Sequence, residues 1–147
     1  MTREDKELLL KDLCSRFPYN TICQVEFKNC GKYENKNMTL SGIFKDEAYF
    51  TIENGSVYSN NYKPYLFPFS SITKEQKREL NKKFNVQFSG NDIHSIHYHS
   101  EGCWDTDLEL GLQDWLWFIN WCYKNHFDVN NLIEKGLAID ATGLSIY

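Results

Sequence analysis

The sequence has no cysteine pair spaced as CxxC, no surplus of positive charge, and no apolar run near the roughly 20 residues that a bilayer-spanning helix needs. Each absence removes a class. The five cysteines, Cys14, Cys23, Cys30, Cys103 and Cys122, are odd in number and unpatterned, which argues against a disulfide framework and for reduced thiols packed as small apolar groups. The opening MTREDKELLLKDL holds no apolar stretch of signal-peptide length, so the expectation is a soluble, cytoplasmic protein without a membrane segment. With a formal net charge of -4 and a pI near 5.5, the chain lacks a general phosphate-neutralising surface, and nucleic acid is not the expected partner. GxGxxG, P-loop, GxSxG and HExxH patterns are missing as well, leaving no local signature of a nucleotide, hydrolase or zincin site.

What is present is a globular composition with a heavy aromatic load, 41% apolar and 16% aromatic over 147 residues, a length that fits one domain spanning 1–147. Thr2 with Asp5 at N3 caps a first helix that places Leu10, Leu13 and Phe17 on one face and leaves Lys6, Glu7 and Lys11 wet, until Pro18 ends it. From Thr21 to Phe27 the period drops to two, with Cys23, Val25 and Phe27 opposed to Ile22, Gln24 and Glu26, the pattern of a half-buried strand. Asn29 to Asn37 reads as a loop. Met38 to Phe44 and Ala48 to Glu53 read as strands, and Asn54-Gly55 is the strongest hairpin signal because a type I′ turn wants positive φ at both central residues. The first half is therefore expected to be a meander of three or four antiparallel strands.

The prolines of Lys63 to Thr73 keep that segment extended. Thr73 with Gln76 then forms a capping box for a middle helix running to about Phe84. Residues 85–88 and 92–100 read as two further strands. A long helix is expected from Thr106 or Asp107, with Leu108, Leu112, Trp115, Leu116, Ile119, Cys122 and Tyr123 as one apolar stripe and Leu110, Trp117 and Trp121 as a second. A helix apolar on two sides is either sandwiched or presents one stripe to a partner. Asp128 is expected to open a second helix by capping the Asn130 and Asn131 amides, with Phe127 and Leu132 as a hydrophobic staple and Gly136 as the stop. Leu137-Ala138-Ile139 is an apolar tail that adds an edge strand or simply packs, and Thr142 to Tyr147 is expected to fray. The fold class is α+β: a small antiparallel β-sheet or SH3-like barrel packed by an N-terminal helix, a middle helix and a C-terminal helix pair.

His94, His97, His99, Glu101, Cys103, Asp105 and Asp107 are dense in metal-ligand side chains. Strand alternation lets only His97 and His99 converge, so a zinc site would be built from His97, His99 and Cys103. A cysteine–histidine nucleophile, Cys103 with His97 or His126, has no supporting local signature. Carboxylate pairs such as Asp105 with Asp107 decorate a helix start. Lys74, Lys77, Arg78, Lys82 and Lys83 make the middle helix basic; with residues 60–99 net basic and 100–147 net acidic, the asymmetry favours a protein partner or self-association over nucleic-acid wrapping.

The segments KELLLKDLC (Lys6 to Cys14) with Phe17-Pro18-Tyr19, Leu40-Ser41-Gly42-Ile43, Lys63-Pro64-Tyr65-Leu66 with Pro68 and Ser70 to Thr73, Asp114-Trp115-Leu116, and Asn125 to Asp128 with Leu132 to Ala138 span nearly the whole chain. As a set they resemble a family of small uncharacterised proteins common in phages and mobile elements of gut anaerobic bacteria. The chain departs from that pattern at Phe67, where an arginine is usual, near Val129 to Asn131, where an aromatic-glycine pair is usual, and in a longer Trp117 to Trp121 segment. The resemblance implies an accessory protein acting inside a bacterium and implies no activity. The sequence-level expectation is a non-enzymatic binding module without a cofactor, engaging a protein through Tyr65, Phe67, Phe69, Trp117 and Trp121. The alternative is a metal-binding domain or metal-dependent enzyme centred on His97, His99 and Cys103, with zinc.

Overall fold

The computed structural model describes residues 1–45, 47–52, 55–84 and 111–147 in full and the backbone alone of 96–98 and 104–106. Helix α1 (Arg3–Arg16) begins at the expected capping box, the Thr2 hydroxyl accepting from the Asp5 amide and the Asp5 carboxylate accepting from the Thr2 amide. Its buried face is Leu9, Asp12, Leu13 and Arg16, rotated from the expected Leu10–Leu13–Phe17 line, and Phe17 is exposed. The rotation puts a charged pair inside the fold.

Strands β1 (Ile22–Asn29) and β2 (Lys32–Phe44) form a long hairpin paired from Ile22↔Thr39 to Asn29↔Lys32. The two-residue turn is Cys30-Gly31 at φ 46° and 85°, the type I′ geometry that suits the right-handed strand twist. The loop expected over Asn29 to Asn37 is thus mostly strand. Its apolar alternation lapses because this end of the hairpin runs past the core and both faces meet solvent. Strands β3 (Glu47–Ile52) and β4 (Gly55–Ser59) form the second hairpin, paired Ile52↔Gly55, which makes Gly55 the first strand residue; Glu53 and Asn54 lie outside the described residues. Strand β5 (Asn61–Leu66) lies antiparallel to β1, and β8 (Ile139–Asp140), the tail segment, lies parallel to β5.

The sheet order is β4-β3-β2-β1-β5-β8. Since β4 and β5 are separated in sequence by Asn60 alone yet flank opposite sides of the β3-β2-β1 unit, the sheet must roll. The seam is joined by a hydroxyl instead of a ladder: Ser59 Oγ donates to the Glu26 carbonyl at 2.5 Å and accepts from the Asn61 amide at 3.0 Å. Of the two expected forms the structure is therefore an open, mostly antiparallel sheet rolled on itself, with helices against it; the hydrogen-bonded closure of an SH3-like barrel is not made.

Helix α2 (Lys74–Phe84) starts at the expected Thr73–Gln76 box. Strands β6 (Ile96–Tyr98) and β7 (Trp104–Thr106) pair as a separate two-stranded sheet. Thr106 is strand, so helix α3 (Leu112–Lys124) starts later than expected, at N-cap Gly111. It ends in a Schellman arrangement with His126 as the left-handed residue, φ 58°, the His126 amide donating to Tyr123 O at 3.1 Å and the Phe127 amide to Cys122 O at 2.9 Å. The second C-terminal helix does not form. Asp128 caps further along, accepting from the Leu132 and Ile133 amides at 2.8 Å each, and Asn131 at φ 56° interrupts helical geometry. The expected staple fails too, because Phe127 and Leu132 enter different cores.

Among the described residues, two cores take up much of the aromatic load. One lies between α1 and the sheet, with Leu9, Leu13, Cys23, Val25, Leu40, Phe50, Leu66 and Leu132. The other lies between α2 and α3, with Leu80, Phe118, Trp121, Cys122 and Phe127 and with Phe67, Phe69 and Trp117 packed against it. The main chain near Phe67 links them: its amide donates to His126 O and its carbonyl accepts from the Asp128 amide, both at 2.9 Å, while Leu66 O accepts from the Ala141 amide at 2.8 Å. The C-terminal residues do not fray, since the Tyr147 hydroxyl donates to Tyr65 O at 2.8 Å and its ring stacks on His126 at 3.7 Å.

The Cys30 conformation supplies a stability prediction. A left-handed L-residue other than Gly or Asn costs about 1–2 kcal/mol, and Cys30 is exposed with no packing to lose. Cys30→Asn is expected to stabilise the protein by about 1 kcal/mol, read as a higher urea midpoint at unchanged slope.

Candidate functional site

Two places concentrate polar chemistry. The first is interior. Asp12 and Arg16, one turn apart on α1, have side chains wholly shielded from solvent, with Arg16 Nε 2.5 Å from Asp12 Oδ2. The guanidinium also donates to Asp12 Oδ1 at 3.1 Å and to the Phe127 carbonyl at 2.7 Å, and stands 4.9 Å from the centre of the Tyr123 ring. Asn130 Nδ2 donates to Asp12 Oδ1 at 2.8 Å. A buried pair needs further hydrogen bonds to offset its desolvation; α3 and the segment after it supply several, while Arg16 Nη1 is buried without a hydrogen-bond partner among the described residues.

Burial sets the titration of the neighbouring groups. It pushes His126 down from 6.5 to about 4, helped by the positive charge of Arg16. Burial likewise raises the Asp128 carboxyl, with the Asp12 charge adding and the two amide hydrogen bonds and Arg16 opposing. The thiols of Cys23 and Cys122 and the phenol of Tyr147 are pushed up by burial as well, so neither buried thiol is poised as a thiolate. This cluster locks α1 onto the C-terminal third of the chain.

The second place is open to solvent. The β2–β3 ladder runs from Phe44↔Glu47 to Leu40↔Phe50 with a register shift between Leu40 and Gly42. A bulge of this kind sharpens twist, and past it the hairpins part. In the opening lies a cleft of about 670 Å³ lined by Phe27, Asn29, Lys36, Asn37, Met38, Thr51 and Ile52. Alternation puts Phe27, Met38 and Ile52 on the concave face. Lys36, the only charged lining residue among the described residues, stands 5.7 Å from the Phe27 ring centre and 3.6 Å from Glu34. The Asn37 side chain accepts from the Tyr65 hydroxyl at 2.9 Å on the opposite face, so Asn37 turns main chain towards the cleft.

The residues singled out from sequence fall elsewhere. Tyr65 and Trp121 are 5% and 4% exposed and present no surface to a partner, which corrects the expectation for both. Trp121 is enclosed by stacking on Trp117, Phe118 and Phe127. Phe67, Phe69 and Trp117 are half-buried; Phe69 stacks on Phe127 at 4.8 Å and Trp117 meets Phe84 edge-on. The α3 stripe is also corrected, because Leu112 and Leu116 are exposed while Phe118 is buried. In the basic helix, Lys83 pairs with Asp114 at 2.9 Å and lies over Trp117, and Arg78 stands 3.8 Å from Glu75, while Lys74 and Lys82 are exposed and Lys77 is half-buried.

Of the metal candidates, His97 is described only as backbone in β6, and His99 and Cys103 lie outside the described residues. Among the described residues no group of His, Cys, Asp and Glu is arranged to hold a metal, and no helix is long and apolar enough to cross a membrane. The cleft itself was missed because Glu34 to Asn37 read as loop. The usable signal was Cys30-Gly31 after a strand, followed by the alternation of Glu34, Lys36 and Met38 with Tyr33, Asn35 and Asn37. Comparison of the chain with family models, curated proteins and solved structures gave no match.

The interior cluster yields two expectations. Arg16→Met strands the buried Asp12 charge and is expected to cost about 3–5 kcal/mol, whereas Asp12→Leu with Arg16→Met removes both charges and recovers most of that loss, both read by urea denaturation. For His126, a folded-state value of about 4 against 6.5 unfolded means that the unfolded state binds more protons in that window. Its contribution is thus complete above pH 6.5 and falls away towards pH 4, by up to about 3 kcal/mol. Asp128, raised on folding, acts in the opposite sense just above its unfolded value. The His126 share is therefore read as the difference in pH slope between the natural protein and His126→Gln.

Proposed function

We propose that the chain is a non-enzymatic binding module that holds a protein partner in the cleft between β2 and β3. The observation that carries this is the lining: an apolar concave floor of Phe27, Met38 and Ile52 beside polar Asn29 and Thr51 and one cation, Lys36. Such a mixture of apolar contact and a few directed polar groups at the mouth of a rolled sheet is the usual make-up of a recognition site. The aromatic residues first read as the binding surface serve the interior, and the cleft takes over that role. The resemblance to phage and mobile-element proteins supports a reading as an accessory protein working in the bacterial cytoplasm.

The test is affinity capture from the natural host in parallel with Ile52→Lys, a partly exposed position whose change leaves both cores intact. The expected outcome is a polypeptide retained by the natural protein and reduced about tenfold or more by Ile52→Lys, with the purified polypeptide rebinding directly. Equal recovery on both proteins, with circular dichroism confirming that both are folded, would remove the cleft from the function.

A further inference from the structure

Among the described residues, the main chain bordering the cleft includes a sheet edge without a strand partner. From Lys32 to Thr39, β2 pairs with β1 on one side; on the other side its ladder with β3 begins only at Leu40. Among the described residues no strand covers that edge. Across the opening, Thr51 and Ile52 pair with Ser56 and Gly55 of β4 and likewise have no partner on the β2 side. An uncovered edge is a row of backbone donors and acceptors at strand spacing, ready to template another strand. It differs from a bare edge in having a side-chain floor beneath it.

Resting on the reading of the cleft as a protein-binding site, we infer that its occupant is an extended peptide segment of a partner, added as a strand to the open edge of β2, with a carboxylate side chain and an apolar side chain two residues apart. The backbone edge supplies the affinity common to any extended chain, and the floor supplies the sequence preference. Alternate residues of an added strand face the same side, roughly 6.6 Å apart. Lys36 and Met38 of β2 are two apart on the concave face, with Phe27 and Ile52 beside them, so the strand laid against them places one side chain over the ammonium and the next over the apolar floor. The first is acidic because Lys36 is the charged group among the described lining residues. Glu34 at 3.6 Å is a loose, solvent-exposed partner that a carboxylate on the incoming strand can displace at little cost. A second copy of the chain is the competing occupant, since pairing two β2 edges about Asn35 sets Glu34 against Lys36, and the oligomeric state is therefore one arm of the test.

The test uses fluorescein-labelled Gly-Thr-Val-Thr-Asp-Thr-Val-Thr-Gly, read by fluorescence anisotropy on the full chain. Saturable binding is expected. Lys36→Glu, at an exposed side chain and checked for folding by circular dichroism, is expected to weaken it about tenfold and to bind the peptide with Lys in place of Asp instead. Two peptides N-methylated on alternate sets of amides separate strand addition from side-chain docking, since only one set faces β2. One is expected to lose about tenfold in affinity and the other to keep it. Equal binding by the natural protein and Lys36→Glu, or full binding by both methylated peptides, overturns the inference. So does a dimer in light scattering that Lys36→Glu dissociates, which would put a second copy on the edge. If the peptide fails to bind or compete while a captured partner still depends on Ile52, strand addition falls and the binding-module reading stands.

Discussion

The Asp12–Arg16 pair is the constraint to which the rest of the fold answers. Two opposite charges removed from water repay their desolvation only with close geometry and further hydrogen bonds, and α1 alone provides none beyond the pair itself. The Phe127 carbonyl, Asn130 and the face of Tyr123 make up the difference. The Phe127 carbonyl and Asn130 come into place where α3 ends in a left-handed residue at His126 and the chain doubles back to meet Phe67. The polar requirement of one helix thereby dictates where another must stop.

The same interior explains why the molecule has two cores without two independent halves. Between Leu66 and Phe67 the chain passes from the sheet core to the aromatic one, and their backbone groups bond to His126, Asp128 and Ala141 on the way. Away from this junction the sheet is free to respond to its own twist. It rolls until Ser59 meets Glu26, and the strain of rolling is relieved at the irregularity near Ser41, past which β2 and β3 separate. The cleft is a by-product of that geometry, and its floor is apolar because the concave face is continuous with the core.

Local signals were the legible part of the sequence. The two capping boxes at Thr2 and Thr73, the strand face of β1, the strand at β3, the middle helix and the α+β class all follow from residues within a few positions of one another. What was illegible depended on distant partners. Asp128 looked like a cap for the Asn130 and Asn131 amides, yet it accepts from the Leu132 and Ile133 amides, Asn131 adopts positive φ and the helix is absent. Leu112 and Leu116 belong to an apolar stripe by spacing, but the neighbours of α3 cover Phe118 and Trp121 instead. The Glu34 to Asn37 stretch carries the charge and amides of a loop, and only its pairing with β1 makes it strand. The cleft was illegible for the same reason, being made of residues from three strands whose separation is set by register.

The contact between Arg16 and the Phe127 carbonyl spans 111 residues of sequence, and this separation has a meaning in time. A ribosome adds about 5–20 residues per second, so the nascent chain holds α1 for several seconds or more before the groups that satisfy its inward-facing charges exist. Through that interval Asp12 and Arg16 are better hydrated than buried, and the helix is held off the growing sheet by its own ion pair. Completion of the interior is thus deferred until the last fifth of the chain emerges. The final hydrogen-bonded seat of α1 therefore cannot precede synthesis of Phe127 and Asn130.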